Sequence, residues 1–226
     1  MTARQLPLAL PHRPALGRED FLVADCNRDA VAWVDLWPNW PGPGLAIHGP
    51  LGCGKTHLAE VWRARSGATR FAFHDLTGMA VGDIAIESGV LVEDIDAAAG
   101  DMSGERALLH LYNRCVERGA SLLLTLGTSP IKLGIVLADL RSRVLALPAI
   151  AVGAPDETLI EAVLVKQFAD RQLRVPPDVI AYVVSRLERS FAEASRLVEA
   201  LDRAALAERR NITIALARDV MRAGGD

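Results

Sequence analysis

The sequence has few of the features that mark nucleic-acid-binding, membrane or secreted proteins. Its 25 basic and 28 acidic residues give a net charge of −3, so no surplus of positive charge points to nucleic acid. Only three of the basic residues are lysines: Lys55, Lys132 and Lys166. No apolar run reaches the roughly 18 residues that span a bilayer, and the N-terminus lacks the apolar core of a secretory signal. We therefore expect no membrane partner.

Cysteine is scarce as well. Cys26, Cys53 and Cys115 are odd in number and lack the spacing of a metal site. This usage favours a reduced, cytoplasmic protein without a disulfide framework. Half of the 226 residues are hydrophobic, which is enough to form one large domain or one large and one small domain.

The sequence does contain a phosphate-binding motif. Residues 49 to 56 read Gly-Pro-Leu-Gly-Cys-Gly-Lys-Thr, which fits the P-loop pattern G-x-x-x-x-G-K-[ST]. Lys55 would contact the β- and γ-phosphates, and Thr56 would offer its hydroxyl to Mg²⁺. The alternative is a glycine-rich turn that happens to hold a lysine, and the apolar run before it (residues 45–48) disfavours this. We predict that the motif binds a nucleoside di- or triphosphate through Gly49, Pro50, Leu51, Gly52, Cys53, Gly54, Lys55, Thr56 and His57.

The order of apolar patterns predicts an α/β fold followed by helices. Buried-type strand runs at residues 45–48, 69–73, 89–92 and 120–126 alternate with helical patterns, which favours a parallel sheet between helices. After Pro155 the patterns are helical only: 156–171, 177–187, 191–208 and 214–222. We therefore predict an extended tail (1–18), an α/β P-loop domain (19–153) and a small all-helical lid domain (154–226).

Two acids follow an apolar strand and complete the predicted nucleotide site. Glu93 and Asp94 come directly after Val90-Leu91-Val92, where a Walker-B carboxylate would help to hold Mg²⁺ or its water. The alternative is an ordinary solvated strand end. We take Asp96 as a loop or cap residue. Thr56, Glu93 and Asp94 are thus the predicted metal ligands.

Arg143, in Leu-Arg-Ser-Arg-Val (140–144), is a candidate arginine finger. It could reach the γ-phosphate held by a neighbouring subunit, or it could be a solvent-facing arginine on a helix. The pattern alone leaves these two interpretations open. Arg189 and Arg196 in the lid could close over a nucleotide, but helical spacing also allows pairing with Glu193 or Glu199.

Several of these segments together resemble the AAA+ module of bacterial DnaA initiators. They are Gly-Lys-Thr-His-Leu (54–58), the acidic pair after an apolar strand, Leu-Arg-Ser-Arg (140–143) and the four-helix tail. Phe21, Val23 and Asn27 lie in a segment similar to the one that packs around adenine in that family. The sequence after the helical tail is too short for the DNA-binding domain of DnaA. From residue 155 onward there are 11 basic and 12 acidic residues. We therefore expect no direct sequence-specific DNA binding.

The N-terminus resembles the sliding-clamp-binding peptide of the Hda family, which is related to DnaA. It reads Gln5-Leu6-Pro7-Leu8-Ala9-Leu10, and in an extended peptide Leu6, Leu8 and Leu10 fall on one side while Gln5 can hydrogen-bond at the rim. The alternative is a disordered, leucine-rich leader.

The resemblance to Hda implies a function. Hda-like proteins bind an adenine nucleotide and the DNA polymerase III sliding clamp, and they present the equivalent of Arg143 to the ATP held by DnaA. Hydrolysis there inactivates DnaA. The resemblance thus implies that the nucleotide bound here is ADP or ATP. Three positions depart from the DnaA pattern: Glu93 replaces an aspartate, Gly127 replaces a polar sensor that Thr125 or Thr128 would have to substitute, and Ala192 replaces a sensing arginine. These departures favour a regulator with weak intrinsic turnover.

Two other functions remain open from the sequence. The chain could be a self-hydrolysing DnaA-like or helicase-loader-like ATPase that forms homo-oligomers. It could also be a P-loop kinase or another small-molecule transferase. The helical lid and the adenine-type segment disfavour the transferase.

Overall fold

The core of the molecule is a parallel sheet between two layers of helices. The computed structural model describes residues 22–77, 81–208 and 210–223. Five parallel strands lie in the order β2-β3-β4-β1-β5. Their bounds are β1 Gly44–His48, β2 Thr69–Ala72, β3 Gly89–Glu93, β4 Ser121–Leu126 and β5 Ala149–Ala151.

The helices in the described parts of the chain divide between the core and the C-terminal region. Those of the core are α1 Arg28–Leu36, α2 Lys55–Ser66, α3 Phe73–Leu76, α4 Met102–Arg118 and α5 Ala138–Ala146. Those of the C-terminal region are α6 Glu157–Asp170, α7 Pro177–Val184, α8 Phe191–Glu208 and α9 Ile214–Ala223. Within the described residues, no helix is both long and apolar enough to cross a membrane.

Successive side chains of each strand point to opposite faces of the sheet and pack into two separate cores. On one face, Leu45 and Leu91 pack with α1 and α2 around Trp62. On the other, Val92 and Leu124 pack with α4 and α5. Because both faces are covered, the central strands are apolar throughout, as the sequence predicts. At about 1.5–3 kcal/mol for each large apolar side chain, this burial is the main force holding the sheet together.

The four C-terminal helices form a domain with its own core. Leu164, Phe168, Val183, Val198 and Leu201 are all buried and pack together. Asp156 caps α6 by accepting a hydrogen bond from the Leu159 N–H at 2.7 Å. The fold class predicted from the sequence, a P-loop α/β core with a helical lid, is therefore confirmed.

Several element boundaries differ from the prediction. β2 ends at Ala72, because Phe73 turns into α3 and packs in the core. α4 begins at Met102, since the Asp101 carboxylate caps it by accepting the Ser103 N–H. α7 ends at Val184 rather than Leu187. Residues 1–18, including the predicted clamp-binding residues Gln5, Leu6, Leu8 and Leu10, lie outside the described residues, as does Phe21.

Candidate nucleotide-binding site

The carboxyl ends of three neighbouring strands bring the predicted site residues to one edge of the sheet. The P-loop follows β1, Glu93 and Asp94 close β3, and Thr125 lies near the end of β4 between them. In parallel α/β sheets this edge is where ligands bind. Residues as distant in the chain as Gly49 and Thr125 thus form one candidate site.

The P-loop adopts a conformation that depends on its glycines. Gly52 and Gly54 have φ angles of +73° and +99°, which L-residues with a Cβ rarely adopt. The loop is anchored to the sheet because the Gly49 N–H donates to the Leu126 carbonyl at 3.1 Å. Leu51 is 92% exposed at the tip of the loop.

Lys55 and Thr56 begin the helix that follows the loop. The buried Lys55 ammonium group donates to the carbonyl oxygens of Gly49 and Pro50, at 2.8 and 2.9 Å. Thr56 is exposed on the first turn of α2, and His57 beside it is half-buried. The first N–H groups of a helix have no intrahelical acceptor, so this end of α2 suits an anion.

Two titratable side chains beside the loop are kept neutral. His48 ends β1, and its pKa is lowered from its ordinary value by burial and by the nearby Lys55 charge. The Cys53 thiol is buried inside the loop, and burial raises its pKa despite the opposing Lys55 charge. Both effects leave Lys55 as the positive charge within the loop.

Glu93 and Asp94 occupy different environments at the end of β3. Glu93 is only 3% exposed, and Arg70 of β2 binds its Oε2 through both Nε and Nη2. The other oxygen, Oε1, has no hydrogen-bond partner. Asp94 is exposed, and its backbone adopts φ +57°. Its N–H donates to the buried Thr125 hydroxyl at 3.1 Å.

These groups fit the Mg²⁺ that the P-loop implies. Thr56 offers an exposed hydroxyl, Asp94 an exposed carboxylate and Glu93 a buried oxygen that lacks a partner. Hard oxygen ligands of this kind are what Mg²⁺ prefers, and nucleotide phosphates supply the remainder of its shell. In the described part of the chain, no cluster of three or more His, Cys, Asp or Glu residues could hold a metal ion unaided.

The loop after β4 is organised by Asp96, as expected for a loop residue. The Asp96 carboxylate accepts the Gly127 N–H at 2.5 Å and the N–H and hydroxyl of Thr128 at 3.2 and 3.3 Å. Thr128 is therefore bound to Asp96. Of the two proposed sensor substitutes, Thr125 is the one placed in direct contact with the Walker-B segment.

The lid contacts the P-loop directly at the start of α8. The Phe191 N–H donates to the Gly52 carbonyl at 2.8 Å. A Cβ added to Gly52 would lie 1.9 Å from the Ser190 hydroxyl and 3.5 Å from the Ala192 Cβ. This contact was not predicted, since no motif links residues 52 and 191. Arg189 and Arg196 bind Glu157 and Glu193 instead of the loop.

The segment proposed to cover adenine folds back along the sheet edge. Asn27 is buried, and its side chain accepts the Ala24 N–H at 2.9 Å and donates to the Leu22 carbonyl at 3.0 Å. Its amide thus shapes the segment, while Val23 is exposed. The Cys26 carbonyl accepts the Gly153 N–H at 2.8 Å, which joins the segment to the chain after β5.

Arg143 lies on α5, where its guanidinium group contacts Tyr112 and Asp139. Its guanidinium group stacks 5.3 Å from the Tyr112 ring and is 3.4 Å from Asp139. The residue is about one-third exposed. This placement leaves open both interpretations of the sequence, a finger for another subunit or an ordinary surface arginine.

Glu105 fixes the start of the helix that carries Arg143. This carboxylate on α4 is fully buried and accepts three backbone N–H groups: Gly100 at 3.2 Å, Val136 at 2.9 Å and Leu137 at 2.6 Å. Sequence reasoning missed it, because a glutamate in the first turn of a helix is usually a solvated or capping residue. Only the fold brings it to residues 136 and 137.

The fold and the site together define a P-loop protein of the AAA+ class with a helical lid. Domain III of the Thermotoga maritima replication initiation protein DnaA has the same fold: TM-score 0.81, 18% identity, covering 95% of this chain and 98% of that one. AMPPCP-bound DnaA from Aquifex aeolicus matches with TM-score 0.72 and 18% identity over 95% of this chain and 71% of that one.

A more distant structural match is a RuvB variant from Thermotoga maritima. It has TM-score 0.67 and 13% identity, and the match covers 88% of this chain and 68% of that one.

The lid identifies the family more closely. Residues 156–221 match the family described as the Hda lid domain. The lid region therefore matches the Hda family, and the chain as a whole has the fold of the DnaA AAA+ domain. This confirms the resemblance drawn from the P-loop, the acidic pair and the helical tail.

Proposed function

We propose that this protein is an adenine-nucleotide-binding regulator of replication initiation that stimulates ATP hydrolysis by DnaA while tethered to the sliding clamp. The observation that carries the proposal is the combination of an Hda-type lid with a complete P-loop beneath it. One of the structural relatives is a DnaA with a bound ATP analogue, which supports an adenine nucleotide as the ligand.

In this proposal the P-loop binds ADP or ATP as a structural switch. Lys55 would exchange its contacts with Gly49 and Pro50 for phosphate oxygens, and the N-terminal end of α2 would add favourable N–H groups. Thr56, Glu93 and Asp94 would hold Mg²⁺, which when bound offsets phosphate charge. Because the lid contacts Gly52 through Phe191, a change in the loop on nucleotide binding would reach the lid directly.

Arg143 would act on a neighbouring protein. An arginine supplied in trans stabilises charge that develops on the transferred phosphoryl group. Its contact with Tyr112 and the fixed start of α5 support a defined position at the surface. In the proposed complex, Arg143 would leave Asp139 and reach the γ-phosphate of the ATP held by DnaA.

The test measures ATP hydrolysis by DnaA in the presence of this protein and DNA-loaded clamp. We expect stimulation by the wild-type protein and its loss in Arg143→Ala, by about 10³-fold if the finger acts fully. Arg141→Ala is the matched control, because Arg141 is an exposed arginine on the same helix. No stimulation by the wild-type protein, or equal loss in the two variants, would contradict the proposal.

The alternative is a self-hydrolysing DnaA-like or helicase-loader-like ATPase. The buried Walker-B carboxylate of Glu93 is the observation that favours it. It predicts steady-state turnover by the purified protein alone, lost in Lys55→Ala, together with ATP-dependent oligomers. A protein that binds nucleotide without such turnover would support the regulator instead.

A further inference from the structure

The environment of Glu93 is unusual for a carboxylate that should face a metal. Arg70 binds Glu93 Oε2 through two nitrogens and lies 3.5 Å from Oε1 of Glu60 on α2. Glu60 is also buried, and its Oε2 accepts a 2.7 Å hydrogen bond from Arg63. A guanidinium group therefore joins the Walker-B strand to the P-loop helix.

Strand register explains why Arg70 reaches this position. Arg70 of β2 lies opposite Leu91 of β3, and Glu93 is two residues further along the same strand. Side chains at i and i+2 share one face of a sheet, and such diagonal neighbours are within reach of a long side chain. Leu91 packs in the core formed with α2, so Arg70 and Glu93 both lie on the α2 side.

The contact between Arg70 and Glu93 changes the charge balance of the candidate site. A buried carboxylate needs a compensating positive charge, and in P-loop proteins Mg²⁺ provides part of it. Here a protein side chain, Arg70, provides positive charge at the same carboxylate. Arg70 is half-exposed, so it can be replaced without opening the core.

We propose that Arg70 is a positioning residue that holds Glu93 and substitutes for part of the charge of Mg²⁺, so that this protein binds adenine nucleotide with little dependence on the metal. The inference rests on the proposed nucleotide binding. It also gives a physical reason for weak intrinsic turnover, because Arg70 occupies Oε2 and offsets the charge of the carboxylate, which leaves only Oε1 to orient a metal-bound water.

The test compares the dissociation constant of fluorescent ADP in Mg²⁺ with that in EDTA for the full-length protein. For the wild type we expect the two constants to be similar. In Arg70→Met the charge of Glu93 is no longer offset, so Mg²⁺ should strengthen binding. The ratio of the dissociation constant in EDTA to that in Mg²⁺ should then rise about tenfold or more, which corresponds to about 1.4 kcal/mol.

Three further variants separate electrostatics from loss of structure. Arg70→Lys keeps the charge and should retain most of the wild-type ratio. Arg63→Met removes a cation that contacts Glu60 but not Glu93, and should leave the ratio unchanged. Adding Glu93→Gln to Arg70→Met removes the unpaired charge and should lower the ratio again. Thermal melting of each variant identifies any that fail to fold.

Three different results would overturn the inference. A wild-type protein that binds ADP tightly only with Mg²⁺, or a ratio that does not change in Arg70→Met, would refute the role of Arg70 and leave nucleotide binding intact. Absence of ADP binding in both buffers would refute the proposed function and this inference with it.

Discussion

At the scale of single residues, His48 makes the stability of the folded protein depend on pH. It ends β1 directly before the P-loop, and burial together with the Lys55 charge lowers its pKa from the ordinary value of 6.5. A histidine with a lowered folded-state pKa takes up its proton more readily in the unfolded chain. The folded protein therefore loses stability as pH falls below about 6.5, and this loss levels off once the pH is below the folded-state pKa.

We therefore expect His48→Gln to reduce the fall in stability between pH 7 and pH 5. The measurement is the free energy of unfolding in urea across this range, for the wild type and the variant. His110→Gln is the control, because His110 is exposed on α4. Parallel pH profiles for the wild type and His48→Gln would show that another group is responsible.

At the scale of elements, Glu105 couples α4 to α5. Its carboxylate accepts the backbone N–H groups of Val136 and Leu137 just before α5, and that of Gly100 just before α4. Each buried donor left without a partner costs about 1–3 kcal/mol. We expect Glu105→Ala to destabilise the protein by several of these increments, unless water enters and replaces the lost acceptor.

Urea unfolding of Glu105→Ala provides the measurement, with Glu117→Ala as the control on an exposed position of the same helix. Under conditions where the variant stays folded, a displaced α5 should also weaken the stimulation of DnaA that we propose for Arg143. A Glu105→Ala protein as stable as the control would mean that water satisfies the three donors.

The same elements show what the sequence could and could not predict. The central strands and the lid helices can be predicted because their apolar residues recur at the spacing of each element. The P-loop can be predicted because its motif is contiguous in the sequence. β5 has only three residues, and an apolar run this short does not predict a strand. The Arg70–Glu93 and Glu105–Val136 contacts depend on strand register and helix packing between residues more than 20 positions apart. No local sequence pattern predicts these two contacts.

At the scale of the whole molecule, the lid contacts the candidate nucleotide site. Ser190 and Phe191 contact Gly52, so the position of α8 and the shape of the P-loop are linked. The lid helices have a separate core, which would allow the lid to move as a unit about the segment before Asp156. In our proposal the bound nucleotide therefore sets the arrangement of the two domains, and Arg143 reaches DnaA from the core domain.

The proposed tether to the clamp is independent of this arrangement and can be removed alone. The leucines of Gln5-Leu6-Pro7-Leu8-Ala9-Leu10 would fill an apolar groove on the clamp, and burial of each contributes about 1.5–3 kcal/mol. Replacing Gln5, Leu8 and Leu10 together by alanine should therefore weaken clamp binding by at least tenfold, or about 1.4 kcal/mol. ADP affinity should stay unchanged, because the P-loop domain is intact.

Surface plasmon resonance on immobilised clamp and fluorescent-ADP titration of the same samples provide the two measurements. A variant with His12 and Leu16 replaced by alanine is the matched control within the tail, and it should bind the clamp like the wild type. Clamp-dependent stimulation of DnaA should fall in parallel with clamp affinity in the triple variant. Arg143 is unchanged in this variant, but the protein is no longer held at the clamp. Unchanged clamp affinity in the triple variant would place the clamp contact elsewhere on the protein.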